Sequence, residues 1–402
     1  MSISVAGIKH TAFIYSLKAL IKFAPSATTP MSFVGAGSTA QLSEHIARLG
    51  VKRVMIVTDK SLVDLGIVAR AGDVLTAAGV GVTVYDGVLP DPTFELVEVG
   101  LLLQRQHQCD GVLAIGGGSA IDTAKTIAAA ATNGGNARAM VGYFKAKIQP
   151  LPLFAIPTTS GTGSEVTFGA VISDSVSHEK FIVGDSKIVP RAVALDPQLL
   201  TGLSPAITAV TGMDALTHAV EACLSTWATP QNDAYAKMAV KMIFEHLPVA
   251  YANGGDLQAR EQMSIAAYYA GLAINVAAVG NVHAIAHQLG AWYGTPHSLA
   301  NAIAMPEVLR FSKDAVVDQL AELADLIEAG DSADTPSMRA DSFINAIVEL
   351  NASFGIAPTL DAIRIPDITG IARRAVKEGA AYPVPKLMDQ QECEQMIRAM
   401  CV

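Results

Sequence analysis

The chain has 402 residues, of which 51% are hydrophobic and 16% are charged, and 33 are glycines. This length and apolar content predict a folded protein of two domains and exclude a disordered or fibrous chain. The formal net charge is −9, and no run of lysine or arginine is present. Because nucleic-acid binding needs clustered basic residues, we expect a small-molecule substrate and no nucleic-acid partner.

Neither the cysteines nor the apolar stretches indicate secretion or a membrane. The four cysteines are scattered without CxxC spacing, which fits a reducing cytoplasm. Residues 12–23 contain Lys18 and Lys22 and lack a convincing cleavage site, so no signal peptide is expected. Residues 264–282 carry no charge, but their small residues and asparagines favour a buried helix over a membrane span.

From about residue 31 to residue 196, short β-branched runs alternate with helical stretches, a pattern typical of a parallel sheet covered by helices. Strands are predicted at 53–59, 80–85, 111–115 and 153–157. Helices are predicted at 61–78 and 93–107. Runs at 168–172, 180–183 and 192–195 are separated by polar turn residues and predict a short antiparallel addition.

After Asp196 and Pro197 helical periodicity dominates up to the C-terminus, which predicts a second, helical domain. The expected fold class is therefore α/β, with a parallel-sheet domain over residues 1–204 and an all-helical domain over residues 205–402. Within the first domain, residues 1–28 form an extension that no pattern interprets.

A glycine run, IGGGSAIDTAK at 115–125, leaves a predicted buried strand and enters a helix. Gly116, Gly117 and Gly118 lack Cβ atoms, so the backbone can approach a pyrophosphate closely. At Ser119 the helix start presents free N–H groups and the positive end of the helix dipole, which favours an anion. The alternative is a tight strand-to-helix turn without a ligand.

A second polar loop, PTTSGTGSE at 157–165, follows another predicted strand. Its hydroxyls and amides suit a phosphate or ribose, although a plain Ser/Thr-rich turn is the alternative. Asp59 ends a third strand, where a carboxylate can accept hydrogen bonds from an adenosine ribose and repel a 2′-phosphate. This favours NAD over NADP, unless Asp59 merely begins a turn.

Five residues in the second half predict a metal site. Asp214 and His218 are four residues apart, as are His283 and His287, and this spacing places each pair on one helix face. His297 would lie about 21 Å from His283 on an uninterrupted helix, so the chain must turn between them, where Gly and Pro residues supply breakers. An aspartate with imidazoles suits Fe(II) or Zn(II) and not Ca(II) or Mg(II).

Four motifs together resemble the iron-containing (group III) alcohol dehydrogenases, a family that includes lactaldehyde reductase, 1,3-propanediol dehydrogenase and NAD-dependent methanol dehydrogenase. The resemblance runs from about Thr29 to the C-terminus. Its motifs are GGGSAIDTAK at 116–125, PTTSGTGSEVT at 157–167, GMDALTHAVEA at 212–222 and HAIAHQLGAWYGTPH at 283–297.

The resemblance implies a Rossmann-like dinucleotide-binding domain followed by a helical metal-binding domain. It assigns the metal ligands to Asp214, His218, His283 and His297, and proton movement to His287. Cofactor contacts are expected in the two loops and at a few positions around them. These are Asp59, Asp91, Gly116, Gly117, Gly118, Ser119, Asp122, Thr158, Thr159, Ser160, Gly161, Thr162, Val171, Lys180, Leu199 and Leu203.

The predicted function is therefore a cytoplasmic, NAD-linked alcohol dehydrogenase that uses Fe(II), with Zn(II) as the alternative metal. It would oxidise a primary alcohol reversibly to an aldehyde, and the family suggests a homodimer or an assembly of dimers. Two other interpretations remain open from the residues: a polyol oxidoreductase similar to glycerol dehydrogenase, and a catalytically silent nucleotide- or metal-binding protein.

Overall fold

The computed structural model describes residues 28–177 and 179–402. By their internal contacts these residues form two compact units. The first consists of residues 28–203 with Asn253–Tyr268, and the second of Ser204–Ala252 with Tyr269–Val402. The domain division after residue 204 stays a prediction. Residues 12–23, for which no signal peptide is expected, lie outside the described residues.

The first unit contains a six-stranded parallel sheet of order β1-β9-β6-β4-β2-β3 and a three-stranded sheet of order β5-β8-β7. The six are β1 (Met31–Val34), β2 (Arg53–Val57), β3 (Gly81–Tyr85), β4 (Gly111–Gly116), β6 (Leu153–Pro157) and β9 (Ala192–Leu195). The other three are β5 (Gly142–Tyr143), β7 (Gly169–Ser173) and β8 (Lys180–Gly184).

The predicted antiparallel addition is right for β7 and β8, which pair antiparallel, but wrong for residues 192–195. Strand β9 instead lies inside the parallel sheet, paired with β1 and β6. All four of its residues are buried, and a strand buried on both faces belongs to the interior of a parallel sheet.

Five helices accompany these strands in the first unit. They are α1 (Ser38–Arg48), α2 (Lys60–Asp64), α3 (Ile67–Ala77), α4 (Phe94–His107) and α5 (Gly118–Thr132). The single helix predicted over 61–78 is therefore wrong in its continuity. It breaks at Gly66, whose φ of 71° is left-handed and is adopted readily only by glycine.

The strand order positions the predicted loops. Strands β2 and β4 are neighbours, and the chain leaves β2 towards β3 on one side and leaves β4 towards β6 on the other. Such a reversal is the switch point at which open parallel sheets bind ligands outside the carboxyl ends of their strands. Because the strands are parallel, Asp59, the glycine run and the 157–165 loop all follow strand ends at one edge.

The second unit is helical, and the structure assigns no strand to its described residues. Helix α8 (Leu257–Ala277) contributes its residues up to Tyr268 to the first unit and the rest to the second. The other helices are α6 (Pro205–Leu224), α7 (Pro230–Ala252), α9 (Asn281–Tyr293), α10 (His297–Ser312), α11 (Val317–Leu326), α12 (Pro336–Ser353), α13 (Ile368–Gly379) and α14 (Gln390–Ala399).

The uncharged stretch at 264–282 is the end of α8 and the start of α9, not one helix as predicted. The two helices meet at an angle of 104°, after a break that contains Ala278 with a φ of 55°. Among the described residues no single helix is long and apolar enough to cross a membrane, while this bent pair passes that test by length and composition alone. The fold class, a parallel-sheet α/β part followed by a helical part, is confirmed.

Candidate functional site

The side chains predicted to bind metal come together from three helices of the second unit. Helix α6 carries Asp214 and His218, α9 carries His283, and α10 begins at His297. Ligand atoms of Asp214, His283 and His297 all lie within 4.8 Å of one another. The Nε2 atom of His218 lies 3.0 Å from Nε2 of His283. All four predicted ligands therefore share one cluster.

The turn that the sequence requires between His283 and His297 is present. Helix α9 ends at Tyr293, and Gly294 closes it in the left-handed conformation with a φ of 64°. Pro296 then precedes the first residue of α10. The two imidazole centroids are 5.4 Å apart, compared with about 21 Å on a continuous helix.

The cluster has the donor set and the unsatisfied acceptor that a divalent transition metal fits. Asp214 is fully buried, and its Oδ2 atom has no hydrogen-bond partner among the residues described. A buried carboxylate oxygen without a partner is costly, and a cation removes that cost. One carboxylate with three imidazoles is a donor set suited to Fe(II) or Zn(II).

Asn301, which the sequence analysis did not select, lies in the middle of this cluster. Its Nδ2 atom donates to Asp214 Oδ1 at 2.7 Å, and it lies 3.3 Å from His283 Nε2 and 3.2 Å from His297 Nε2. A ligating carboxylate oriented by a hydrogen bond is a common feature of metal sites. The available signal was spacing, because Asn301 follows His297 by one helical turn.

Glu221 is a second residue that sequence reasoning missed. Its carboxylate accepts the backbone N–H groups of Gly280 and Val282 and the Nδ1 of His283, each at 2.7 Å. It therefore caps the start of α9 and fixes the His283 tautomer, so that Nε2 is the nitrogen left for a metal. Burial raises the pKa of Glu221 to about 7, whereas the N–H donors favour its ionised form.

His287 contacts a different carboxylate. Its Nδ1 lies 2.5 Å from Oε1 of Glu378. The Tyr382 hydroxyl also donates to Oε1, and the Gln288 amide donates to Oε2. Burial raises the pKa of Glu378, but His287 and these donors outweigh burial and hold the pKa below its ordinary value. An ionised Glu378 keeps the proton on Nδ1, which leaves Nε2 of His287 able to accept one.

The His287 ring is also adjacent to the metal cluster. It stacks on the ring of His297, with centroids 5.2 Å apart. The position is suited to a proton carrier that is held beside the predicted ligands by Glu378. Glu378 lies 91 residues away in the chain, so no helical spacing could have revealed it.

In the first unit, the glycine run and the 157–165 loop contact each other. The Thr158 N–H donates to the Gly116 carbonyl at 3.1 Å, where β4 and β6 end. Farther along, a Cβ on Gly118 would lie 2.9 Å from Cγ2 of Thr162, and one on Gly117 would lie 3.3 Å from Oγ1 of Thr159. Glycine at 118 is therefore required for the loops to approach this closely.

The start of α5 has the features of an anion site. Gly116 has a φ of 154°, and a Cβ there would lie 2.6 Å from Cβ of Ala120. Gly117 is the N-cap residue, and no side chain caps the helix. The amide groups of the first turn, including that of Ser119, are then suited to bind a phosphate.

Asp59 is the N-cap residue of helix α2, which agrees with the simpler of its two interpretations. Its Oδ1 atom accepts the N–H of Leu62 at 3.2 Å. This contact uses one carboxylate oxygen, so a ribose contact remains a prediction. The predicted cofactor residues Asp91 and Lys180 pair with each other, with Nζ 2.9 Å from Oδ1, and Asp91 has a left-handed φ of 52°.

Several other predicted cofactor positions have contacts within the protein. Asp122 accepts hydrogen bonds from Ser164 Oγ at 2.5 Å and from the Val171 N–H at 2.8 Å. Ser160 Oγ lies 3.3 Å from Ser264 Oγ, and Leu199 is buried in the hydrophobic core. Gly161 is buried within the loop, and the Leu203 carbonyl accepts a bond from Arg260 at 3.4 Å. Their cofactor contacts stay predictions.

Comparisons with known proteins identify the family. Residues 29–197 match the model of the iron-containing alcohol dehydrogenases, and residues 208–401 match the C-terminal part of the same family. The chain belongs to the iron-containing alcohol dehydrogenase family.

Two curated relatives and a solved structure agree with this assignment. The chain is 36% identical to the NAD-dependent methanol dehydrogenase of Bacillus methanolicus, with 92% of this chain and 97% of the relative covered. It is 38% identical to the 1,3-propanediol dehydrogenase of Klebsiella pneumoniae, covering 92% and 96%. A crystal structure of 1,3-propanediol oxidoreductase has a TM-score of 0.90 at 37% identity and covers 93% of this chain and 98% of that one.

These findings confirm the predicted family, the class of NAD-dependent oxidoreductase, and NAD with iron as the cofactors.

Proposed function

We propose that this chain oxidises a primary alcohol reversibly to an aldehyde and transfers the hydride to NAD. In this proposal Asp214, His218, His283 and His297 hold the metal, and His287 carries the proton. The observation that carries it is the convergence of one buried, partly unsatisfied carboxylate and three imidazoles from three helices. Iron is the metal expected from the family, and Zn(II) is the alternative with the same preference for imidazole.

When bound by these four residues, the metal would supply Lewis-acid chemistry, which would lower the pKa of the alcohol. The remaining chemistry belongs to the chain and to NAD. When the C–H bond of the alcohol breaks, its electron pair leaves with the hydrogen as hydride, and the alcohol O–H gives up a proton. Each turnover therefore converts one alcohol and one NAD⁺ into one aldehyde, one NADH and one proton.

His287 is the proposed acceptor of that proton. Glu378 binds Nδ1 at 2.5 Å, so Nε2 is the basic nitrogen, and the charge of Glu378 stabilises the imidazolium that forms. The two loops of the first unit are the proposed phosphate-binding surface, since they combine an uncapped helix start with the hydroxyls of Thr158, Thr159 and Thr162. Asp59 is the proposed ribose ligand that favours NAD over NADP.

The proposal is tested by anaerobic purification, elemental analysis, and NADH absorbance with a panel of primary alcohols, polyols and aldehydes. We expect about one iron per chain and turnover of small primary alcohols. Asp214→Ala should lose the metal and at least about a thousandfold in kcat/KM, because Lewis-acid stabilisation is worth several kcal/mol. Glu349→Gln, which removes an exposed carboxylate of the same unit, is the matched control. Full metal retention in Asp214→Ala contradicts the ligand assignment.

We also propose that the protein works in the cytoplasm and as a homodimer or an assembly of dimers. All four cysteines are free thiols, which supports a reducing compartment. The family resemblance supports the assembly. Light scattering on the purified protein measures its molar mass, and the mass of a single chain would contradict the proposed assembly. Cell fractionation tests the proposed cytoplasmic location.

A further inference from the structure

Lys125 is a fully buried lysine on α5, two turns after the glycine run that begins this helix. Its ammonium donates to Ser164 Oγ at 3.1 Å, to Thr167 Oγ1 at 3.0 Å and to the Gly169 carbonyl at 2.6 Å. An ammonium has three N–H donors, so each has an acceptor. Ser164 and Thr167 lie in the segment that joins β6 to β7, which also contains the second phosphate-binding loop, and Gly169 is the first residue of β7.

The charge of Lys125 is compensated through Ser164. The Ser164 hydroxyl accepts from Lys125 and donates to Asp122 Oδ1 at 2.5 Å, so it links the ammonium to a carboxylate of the same helix. Burial lowers the pKa of Lys125 to about 8, while Asp122 and Glu165 act in the opposite direction. A buried ammonium is costly unless its hydrogen bonds and counter-charge are both supplied, and this network supplies both.

The hydrogen bonds around Lys125 continue to Thr162, where the glycine run and the 157–165 loop are in contact. The Ser164 N–H donates to Thr162 Oγ1 at 3.2 Å, and Thr162 is the residue that faces the bare Cα of Gly118. At the strand ends, the loops are joined by the bond from Thr158 to Gly116. Farther along the chain, the hydrogen bonds of Lys125 hold the second loop against α5.

We propose that Lys125 is a positioning residue for NAD, which holds residues 164–169 against α5 and thereby fixes Thr162 beside Gly118. Lys125 does not contact the cofactor, since its three donors are occupied by the protein. It acts on the spacing of the two loops, and a preorganised pair of loops binds a ligand without the cost of ordering them. This inference rests on the proposed NAD site in these loops.

If Lys125 had a purely structural role, the expected result would differ. Its replacement would lower the melting temperature, but the folded molecules would still bind NADH with the wild-type affinity. A positioning lysine changes the affinity of the folded protein for NADH and the KM for NAD, and leaves the KM for the alcohol and the metal content unchanged. Measuring all four quantities on the same variants separates the two roles.

The experiment replaces Lys125 by methionine, which has similar length and no donor, in the full-length metal-loaded enzyme. NADH fluorescence titration should give a Kd about tenfold or more above that of the wild type, with KM for NAD raised in parallel. Leu75→Ala is the matched control, because it damages the buried core of the same unit without touching either loop. It should lower the melting temperature and leave the NADH Kd unchanged.

Thr167→Val removes one of the three acceptors and keeps the volume, so it serves if Lys125→Met does not fold. We expect it to raise the NADH Kd about threefold. An NADH Kd within twofold of the wild type, in whichever of the two variants folds, overturns the positioning role. A wild-type enzyme that binds no NADH contradicts the proposed function instead, so the two failures are distinguishable.

Discussion

The proposed binding sites of the two units are built in opposite ways. The metal cluster of the second unit consists of side chains, and two of them are held by further side chains: His283 by Glu221 and Asp214 by Asn301. The proposed phosphate-binding loops of the first unit depend on backbone groups and on missing Cβ atoms, as at Gly116 and Gly118. The difference determines which substitutions are damaging: removal of a functional group in one unit, and addition of a carbon in the other.

The largest expected effect in this comparison comes from removing His287, a side chain beside the metal cluster of the second unit. His287→Ala should lower kcat about a hundredfold and leave the metal content unchanged, because general acid–base catalysis contributes about 10²- to 10⁴-fold. Steady-state kinetics with elemental analysis measure both. His246→Ala on α7 is the control histidine and should behave like the wild type. Loss of metal in His287→Ala would make His287 a ligand instead.

Glu378→Gln tests whether the carboxylate that contacts His287 contributes to proton transfer. It leaves the His287 ring in place but removes the charge that stabilises its protonated form, so we expect a smaller loss of kcat than in His287→Ala. An undiminished kcat in Glu378→Gln would mean that the 2.5 Å contact has no part in proton movement.

Glu221→Gln tests whether the supporting carboxylate matters as much as a ligand. A glutamine amide has one acceptor oxygen, whereas Glu221 accepts from two backbone N–H groups and from His283. We expect the metal affinity to fall about 10- to 100-fold, the range found for supporting residues of metal ligands. Competition with a chelator measures it, and Glu349→Gln again serves as control. Unchanged affinity would restrict the role of Glu221 to capping α9.

The sequence predicted which side chains cluster, but not the residues that hold them in place, for a physical reason. Asp214 with His218 and His283 with His287 are visible as i, i+4 pairs, because helical geometry is local. Glu221 and Asn301 share helices with the predicted ligands, but helical spacing alone does not distinguish a supporting glutamate or asparagine from an ordinary one, even where Asn301 follows His297 by one turn. Glu378 acts on His287 across 91 residues, and such tertiary contacts leave no periodic trace.

The same limit explains the errors in the first unit. The segment 192–195 has the composition of any short strand, and only its partners show that it runs parallel between β1 and β6. Glycine loops are contiguous in sequence, so both were visible before the fold was known. The side chain that joins them, Lys125, could not be identified, because its three acceptors lie 39 to 44 residues away.

Gly118→Ala tests the backbone part of the contrast. The added Cβ would lie 2.9 Å from Cγ2 of Thr162, closer than real Cβ contacts, so the loops must separate. Overpacking of this kind costs about 1–3 kcal/mol, and we expect the NADH Kd to rise about tenfold. NADH titration measures it, and the metal content should not change.

Adding Thr162→Ser to Gly118→Ala removes the methyl group that clashes and keeps the hydroxyl that accepts from Ser164. The double variant should recover most of the lost affinity, a coupling expected only for residues in contact. Equal Kd values in the single and double variants would show that the clash is not the cause.

The smallest expected effect concerns Asp59, whose carboxylate is the proposed source of the preference for NAD over NADP. Asp59→Asn keeps the ability to cap α2 but removes the charge, whereas Asp59→Gly removes both, and glycine at an N-cap costs only a few tenths of a kcal/mol. Two like charges about 4 Å apart repel by about 1 kcal/mol in water and more beside a protein. Both variants should therefore lower the ratio of kcat/KM for NAD over NADP by about fivefold. Because salt screens exposed charges, the difference from the wild type should narrow at high ionic strength. An unchanged ratio in both variants would leave Asp59 as a helix cap alone.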